Sequence, residues 1–145
     1  STERSKYLSN LGIPLNTDST INGQMIFMAE RATELLQENI ITDRTIIDVM
    51  AFTKSAKSIN VKNKPLFNKL AVTLIPQYDW IFYISPKGIK IEDNGVRETD
   101  PKYRKLIDNN IKYILNKNGY LIQNLAEISG TNEERIQQIK HYIGI

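Results

Sequence analysis

The sequence predicts an α/β layer fold with a mainly parallel sheet, and three observations lead there. Segments whose apolar residues recur at helical spacing alternate with short, continuously apolar runs. Those runs, such as 79–86 (DWIFYISP), are rich in aromatic and β-branched residues and show no polar alternation, as strands covered on both faces require. Cap and turn residues mark most boundaries, so the elements are short and sequentially packed. With 145 residues and no repeat, low-complexity tract or linker, the chain reads as one domain over 1–145.

Thr17, Asp18 and Ser19 offer caps for a first helix. Ile21, Met25, Met28, Ala29, Ala32, Leu35 and Leu36 form its apolar face, and it ends near Glu38. The run 39–43 (NIITD), closed by a carboxylate, is predicted as a buried strand. Thr45 opens the next helix, Asp48 completes a capping box, and Val49, Met50 and Phe52 carry it to about Lys57. Pro65 starts another helix through Leu66, Leu70, Val72 and Leu74, and Pro76 stops it. The 79–86 run is the second strand.

Thr99, Asp100 and Pro101 cap the following helix, with Leu106, Ile107, Ile111, Ile114 and Leu115 on its apolar side and Gly119 as its stop. A third strand is predicted within 120–129 (YLIQNLAEIS). Thr131 with Glu134 forms a second capping box, opening a last helix through Ile136, Ile139 and Tyr142.

Composition removes several chemistries. With no cysteine there is no disulfide framework, zinc thiolate site or thiol nucleophile, and the single His141 rules out a multi-histidine metal site. A metal would need oxygen ligands, which favours magnesium. The formal charge of +3 is too small for a nucleic-acid track and no reader motif is present, so a nucleic-acid role ranks last. No apolar run is long enough to span a bilayer and no signal-peptide pattern occurs, which makes a cytoplasmic location the default expectation.

Ligands of parallel α/β sheets bind beyond the carboxyl ends of the strands, so polar residues at those ends are the candidates. Asp43 and Arg44 follow the first predicted strand, and Ser129, Gly130 and Thr131 follow the third. Glu3 stands where another strand would be ending, while Arg97 and Arg104 lie between the second and third strands. Each has a plainer reading. Asp43 equally suits a helix cap before Thr45, and Asp100 can pair with Arg104 across one helical turn. Residues 129–131 make a turn and an N-cap in any case. Met25 and Met28 suit core filling, and Lys54, Lys57, Lys62 and Lys64 suit a solvated basic face.

Three stretches together resemble a known family: 38–55 (ENIITDRTIIDVMAFTKS), 78–108 (YDWIFYISPKGIKIEDNGVRETDPKYRKLID) and 128–139 (ISGTNEERIQQI). They are similar to the NadR-type AAA domain, a group of P-loop ATPases and kinases that includes ribosylnicotinamide kinase domains and relatives of the nucleoside kinases. The resemblance runs from STERSKYL at 1–8 to the final helix. Its most specific parts are the Asp-Arg pair after a strand and the EDNGVRETDPKYR segment.

This resemblance implies a three-layer P-loop-kinase-like fold with a lid at about 88–108, ATP and Mg2+ as cofactors, and a small nucleoside- or nucleotide-like acceptor. It places Glu3 facing the acceptor as base or orienting group, Asp43 near the magnesium ion or acceptor, and Arg44 near the transferring phosphate. Arg97 and Arg104 correspond to lid arginines over the nucleotide phosphates. Ser129, Gly130 and Thr131 correspond to the loop against adenine.

One departure is large. None of the seven glycines is followed by lysine, so G-x-x-x-x-G-K-[ST] is absent. The family carries that motif after a central first strand, ahead of the segment resembling 1–8. The expectation is therefore that an N-terminal segment preceding Ser1, or a strand from a partner, fills the centre of the sheet. The leading expectation for function is phosphoryl transfer from ATP. The alternatives are a nucleotide-dependent ATPase or switch, and a non-catalytic relic acting as an interaction module.

Overall fold

The computed structural model describes residues 7, 9–15, 18–86 and 100–145. Its elements are α1 (Ile21–Glu34), α2 (Ile46–Ser55), α3 (Asn63–Ala71), a 3-10 helix at Val72–Gln77, β1 (Ile81–Ile84), α4 (Pro101–Lys117), a 3-10 helix at Gly119–Leu121, β2 (Leu125–Ile128) and α5 (Asn132–Ile143). β1 and β2 pair in parallel, Ile81 opposite Leu125 and Ile84 opposite Ile128. The architecture is mixed α/β around a small parallel sheet.

Parallel pairing fixes the course of α4. Since β2 starts level with Ile81, the chain leaving Ile84 must return, so α4 begins beyond the carboxyl end of β1 and runs back. The Tyr83 hydroxyl donates to Asp108 Oδ1 at 2.5 Å, holding the second turn of α4 against the strand. Lys112 pairs with the other Asp108 oxygen at 3.2 Å.

Side-chain alternation places helices on both faces of the pair. Ile81 belongs to the core formed with α2 and α4, and Tyr83 packs against that core. On the opposite face Trp80 and Phe82 stack at 5.4 Å between ring centroids, and Tyr142 of α5 lies 5.2 Å and 6.1 Å from them. The fully buried side chains Ile46, Met50, Ile75 and Ile128 come from three separate segments, α2, the 3-10 helix at Val72–Gln77 and β2, which ties the helical part to the sheet.

Several boundaries differ from expectation. The 39–43 run is no strand: Asn39 has φ 56°, and Ile40 and Ile41 are 41% and 71% exposed. The pair β1-β2 is the sheet of the described residues, so this run has no ladder to join, and backbone groups without a ladder stay solvated. The cap of α1 is Thr20, whose hydroxyl accepts from Gly23, and the helix ends at Glu34 with Leu36 exposed. Met25 is likewise exposed rather than core.

Starting at Asn63 rather than Pro65, α3 buries Phe67 and Ala71 and leaves Leu66 and Leu70 outside. Pro76 sits within the 3-10 helix that follows. Gly119 is not a left-handed stop either, since α4 closes on the Asn118 N–H bonded to Ile114 O. The capping boxes at Thr45 with Asp48 and Thr131 with Glu134 are both formed.

Candidate functional site

The head of α4 concentrates positive charge. Asp100 caps it, accepting from the Lys102 N–H at 3.0 Å, Pro101 occupies its first position, and no acid lies in its first turn. Lys102, Arg104 and Lys105 follow within five residues. Cations at a helix N-terminus oppose the backbone dipole, by roughly 0.3–1 kcal/mol each at the surface. Arg104 does not pair with Asp100: the ion pairs between described residues are Arg31–Glu34 and Lys112–Asp108. Arg104 is tied to Asp100 only through its backbone N–H, at 3.0 Å from Asp100 O.

Arg44, from another segment, connects to the first turn of α4 through two aromatic rings. Its backbone is left-handed (φ 75°), and its guanidinium carbon lies 5.6 Å from the Phe52 ring centroid. The Phe52 ring is in turn 6.3 Å from that of Tyr103, the neighbour of Arg104. Asp43, beside Arg44, is exposed. It is not the cap of α2, which is Thr45, so the plainer reading of Asp43 does not hold. Nor does Asp43 end a strand, since none forms at 39–43.

Ser129, Gly130 and Thr131 leave the carboxyl end of β2, next to the end of β1, where the Ser85 N–H donates to Ile128 O at 3.2 Å. Gly130 requires its residue type: φ is 99°, and an added Cβ would sit 3.0 Å from Glu134 Oε2. The backbone of this loop is largely engaged by α5 itself. Gln138 takes both the Ser129 N–H (3.2 Å) and the Ser129 carbonyl (2.7 Å), and Arg135 Nε holds the Gly130 carbonyl at 2.8 Å. Glu133 and Glu134 occupy the first turn of α5. That helix start repels anions, whereas the head of α4 attracts them.

Glu3, Arg97 and the 88–99 part of the lid fall outside the described residues. Of the predicted residues, Arg44 is linked through the Phe52 and Tyr103 rings to the first turn of α4, which carries Arg104, with Asp43 adjacent in sequence. The structure puts 129–131 at the edge of the sheet beside β1. The described residues contain no group of three or more His, Asp or Glu able to hold a metal. They also include no helix long and apolar enough to cross a membrane.

Several polar residues were not anticipated. Arg31 is buried with its guanidinium on the 43–44 backbone. Gln24 donates to Thr53 Oγ1 at 2.9 Å, and Asn110 donates to Ser55 Oγ at 2.6 Å and Ala51 O at 3.1 Å. Their signal in the sequence is a polar residue interrupting an apolar stripe, as Asn110 does between Ile107 and Ile114.

Two ionisable groups near the start of α2 are shifted. The buried Tyr78 hydroxyl, which accepts the Ile46 N–H at 3.0 Å, is pushed up to about 12, chiefly by loss of solvent. Burial raises the Asp48 carboxyl above its usual value and outweighs the Thr45 N–H donated to it. A carboxyl raised in the folded state binds more protons folded than unfolded, so its contribution to stability falls as pH rises through the folded value. Asp48→Asn keeps an acceptor for Thr45 and removes the titration. The melting temperature of the variant minus that of wild type should therefore increase from pH 3 to pH 7. A difference independent of pH would show that folding does not raise the Asp48 carboxyl.

No family model, curated protein or solved structure matches the chain.

Proposed function

We propose that this chain grips nucleotide phosphates as part of an ATP-dependent phosphotransferase for a small nucleoside- or nucleotide-like acceptor. The observation that carries this reading is the run of Lys102, Arg104 and Lys105 at the head of α4, none of them in an ion pair with a described carboxylate, with Arg44 linked to that turn through the Phe52 and Tyr103 rings. Like charges collected at the positive end of a helix cost stability, and an arriving polyanion reverses that cost. Planar guanidinium groups suit phosphate oxygens, and phosphoryl transfer rests mainly on positioning and charge stabilisation. The location also agrees with the rule for parallel sheets, since α4 starts beyond the carboxyl end of β1. Likeness to the NadR-type AAA domain points the same way.

Magnesium fits the donors in kind. Mg2+ keeps several waters and uses one or two carboxylates plus phosphate oxygens, and Asp43 offers one exposed carboxylate beside Arg44. Arg44 and Arg104, with Arg97, would hold phosphate oxygens. Ser129, Gly130 and Thr131 would lie against adenine, with the Ser129 hydroxyl rather than the engaged Ser129 backbone or the capping Thr131 hydroxyl available for contact. The backbone cradle of a P-loop is not encoded in this sequence, so a segment or partner outside it would supply one.

The test is a thermal shift with magnesium and ATP, then ATP consumption with and without candidate nucleosides. A specific ligand at one hundred times its Kd should stabilise the fold by about 2.7 kcal/mol. Acceptor-dependent consumption supports the transferase. Consumption that ignores every acceptor supports a nucleotide-dependent switch. Absence of any shift favours an interaction module, a reading that the missing G-x-x-x-x-G-K-[ST] supports.

A further inference from the structure

The unexplained group in the core is Arg31. It is 4% exposed and lies on α1, a different element from the cations just described. Its Nη1 donates to Asp43 O at 3.2 Å and to Arg44 O at 3.4 Å, and its Nη2 pairs with Glu34 at 3.0 Å. Its Nε is buried with no hydrogen-bond partner. A buried guanidinium with an idle donor is a costly way to fill space, and an apolar side chain would fill it more cheaply.

What it holds is strained. Arg44 adopts φ 75°, a region unfavourable for a residue with a side chain. The Arg44 carbonyl accepts from Arg31 and also from the Thr42 hydroxyl at 3.1 Å. One residue later Thr45 caps α2. The turn is thus fixed from both sides, and the left-handed residue within it sends its guanidinium toward Phe52.

We infer that Arg31 is a positioning residue: its guanidinium holds the 43–44 backbone in the left-handed turn that presents the Asp43 carboxylate and Arg44 guanidinium together. On the phosphate reading above, on which the purpose but not the geometry rests, that pair meets a magnesium-bound polyphosphate.

The test is a mutant cycle on thermal stability, without ligand, using Arg31→Met, Arg44→Gly and the double variant. If Arg31 maintains the strain, Arg44→Gly relieves it and raises the melting temperature, by about 2–4 °C for a chain of this size. In the Arg31→Met background the turn is already free to relax, and the same change should give no gain or a loss. An equal gain in both backgrounds, or no gain in the Arg31 protein, overturns the inference. Should Arg31→Met fail to fold, Arg31→Lys replaces it, because one ammonium cannot span both carbonyls and Glu34. There the gain should fall by at least half, and an undiminished gain overturns the inference.

Magnesium pyrophosphate, titrated by calorimetry, reports on purpose. Arg31→Lys should weaken it about tenfold, and equal affinity in wild type and variant overturns the positioning role. A wild-type protein that does not bind this probe sinks the phosphate reading, while the ligand-free cycle still decides whether Arg31 holds the turn.

Discussion

Ile46→Ala is expected to lower folding stability by about 2–5 kcal/mol, the range for removing a fully buried branched side chain. Ile46 is 0% exposed and stands at the first position of α2. It belongs to the core that includes Met50, Ile75, Tyr78 and Ile81, so the vacated volume would be walled by α2, the 3-10 helix and β1 together. The surroundings cannot follow easily, because the Ile46 N–H is bonded to the Tyr78 hydroxyl. Leu70→Ala is the control: Leu70 is 57% exposed, and surface truncations of this kind stay within about 0.5 kcal/mol. Urea unfolding of the two variants checks the contrast. Equal costs would mean that the core is not centred where α2 meets β1.

The two residues of that pair also show which parts of the fold were legible in the sequence. Ile46 follows a cap whose box is complete within four residues, so local chemistry alone sets where α2 begins. The same holds at Thr131 and at Asp100, and both strands fall inside their predicted runs. Leu70 was expected inside and lies outside, because α3 turns the neighbouring i,i+4 stripe, Phe67 and Ala71, to the core and leaves Leu66 and Leu70 in solvent, a choice between adjacent stripes that packing makes. The 39–43 run failed for another reason. Two adjacent isoleucines are as ready to pair as the residues of β1, but a strand exists only beside a partner, and pairing is not a local property.

The candidate site divides along the same line. Arg104 was identifiable from its segment, and so was the turn at Gly130. Arg31 was not: the carbonyls it holds lie 12 and 13 positions away, and on α1 it reads as one more charge with an i,i+3 partner in Glu34. That the Ser129 backbone is engaged by Gln138 was equally invisible, since a glutamine two turns into a helix gives no local sign of reaching back.

Arg104→Ala should separate stability from binding by moving them in opposite directions. Removing a cation from the head of α4 relieves repulsion with Lys102 and Lys105 and with the helix dipole. Folding stability should therefore hold or rise by up to about 1 kcal/mol. A charged hydrogen bond to phosphate is worth about 1.5–3 kcal/mol, so affinity for magnesium and ATP should fall roughly ten- to more than one-hundredfold. Arg104→Lys should recover charge but not the two-pronged contact, and affinity should return only in part. In an active assembly, Arg104→Ala should reduce turnover far more than it alters melting, and so should Arg97→Ala. Solvated surface charge makes a different forecast for the same variant: the small gain in stability with binding of magnesium and ATP unchanged. Calorimetric titration of wild type, Arg104→Ala and Arg104→Lys, set beside their urea midpoints, distinguishes the two, because only a residue that meets the ligand can lose affinity while the fold gains.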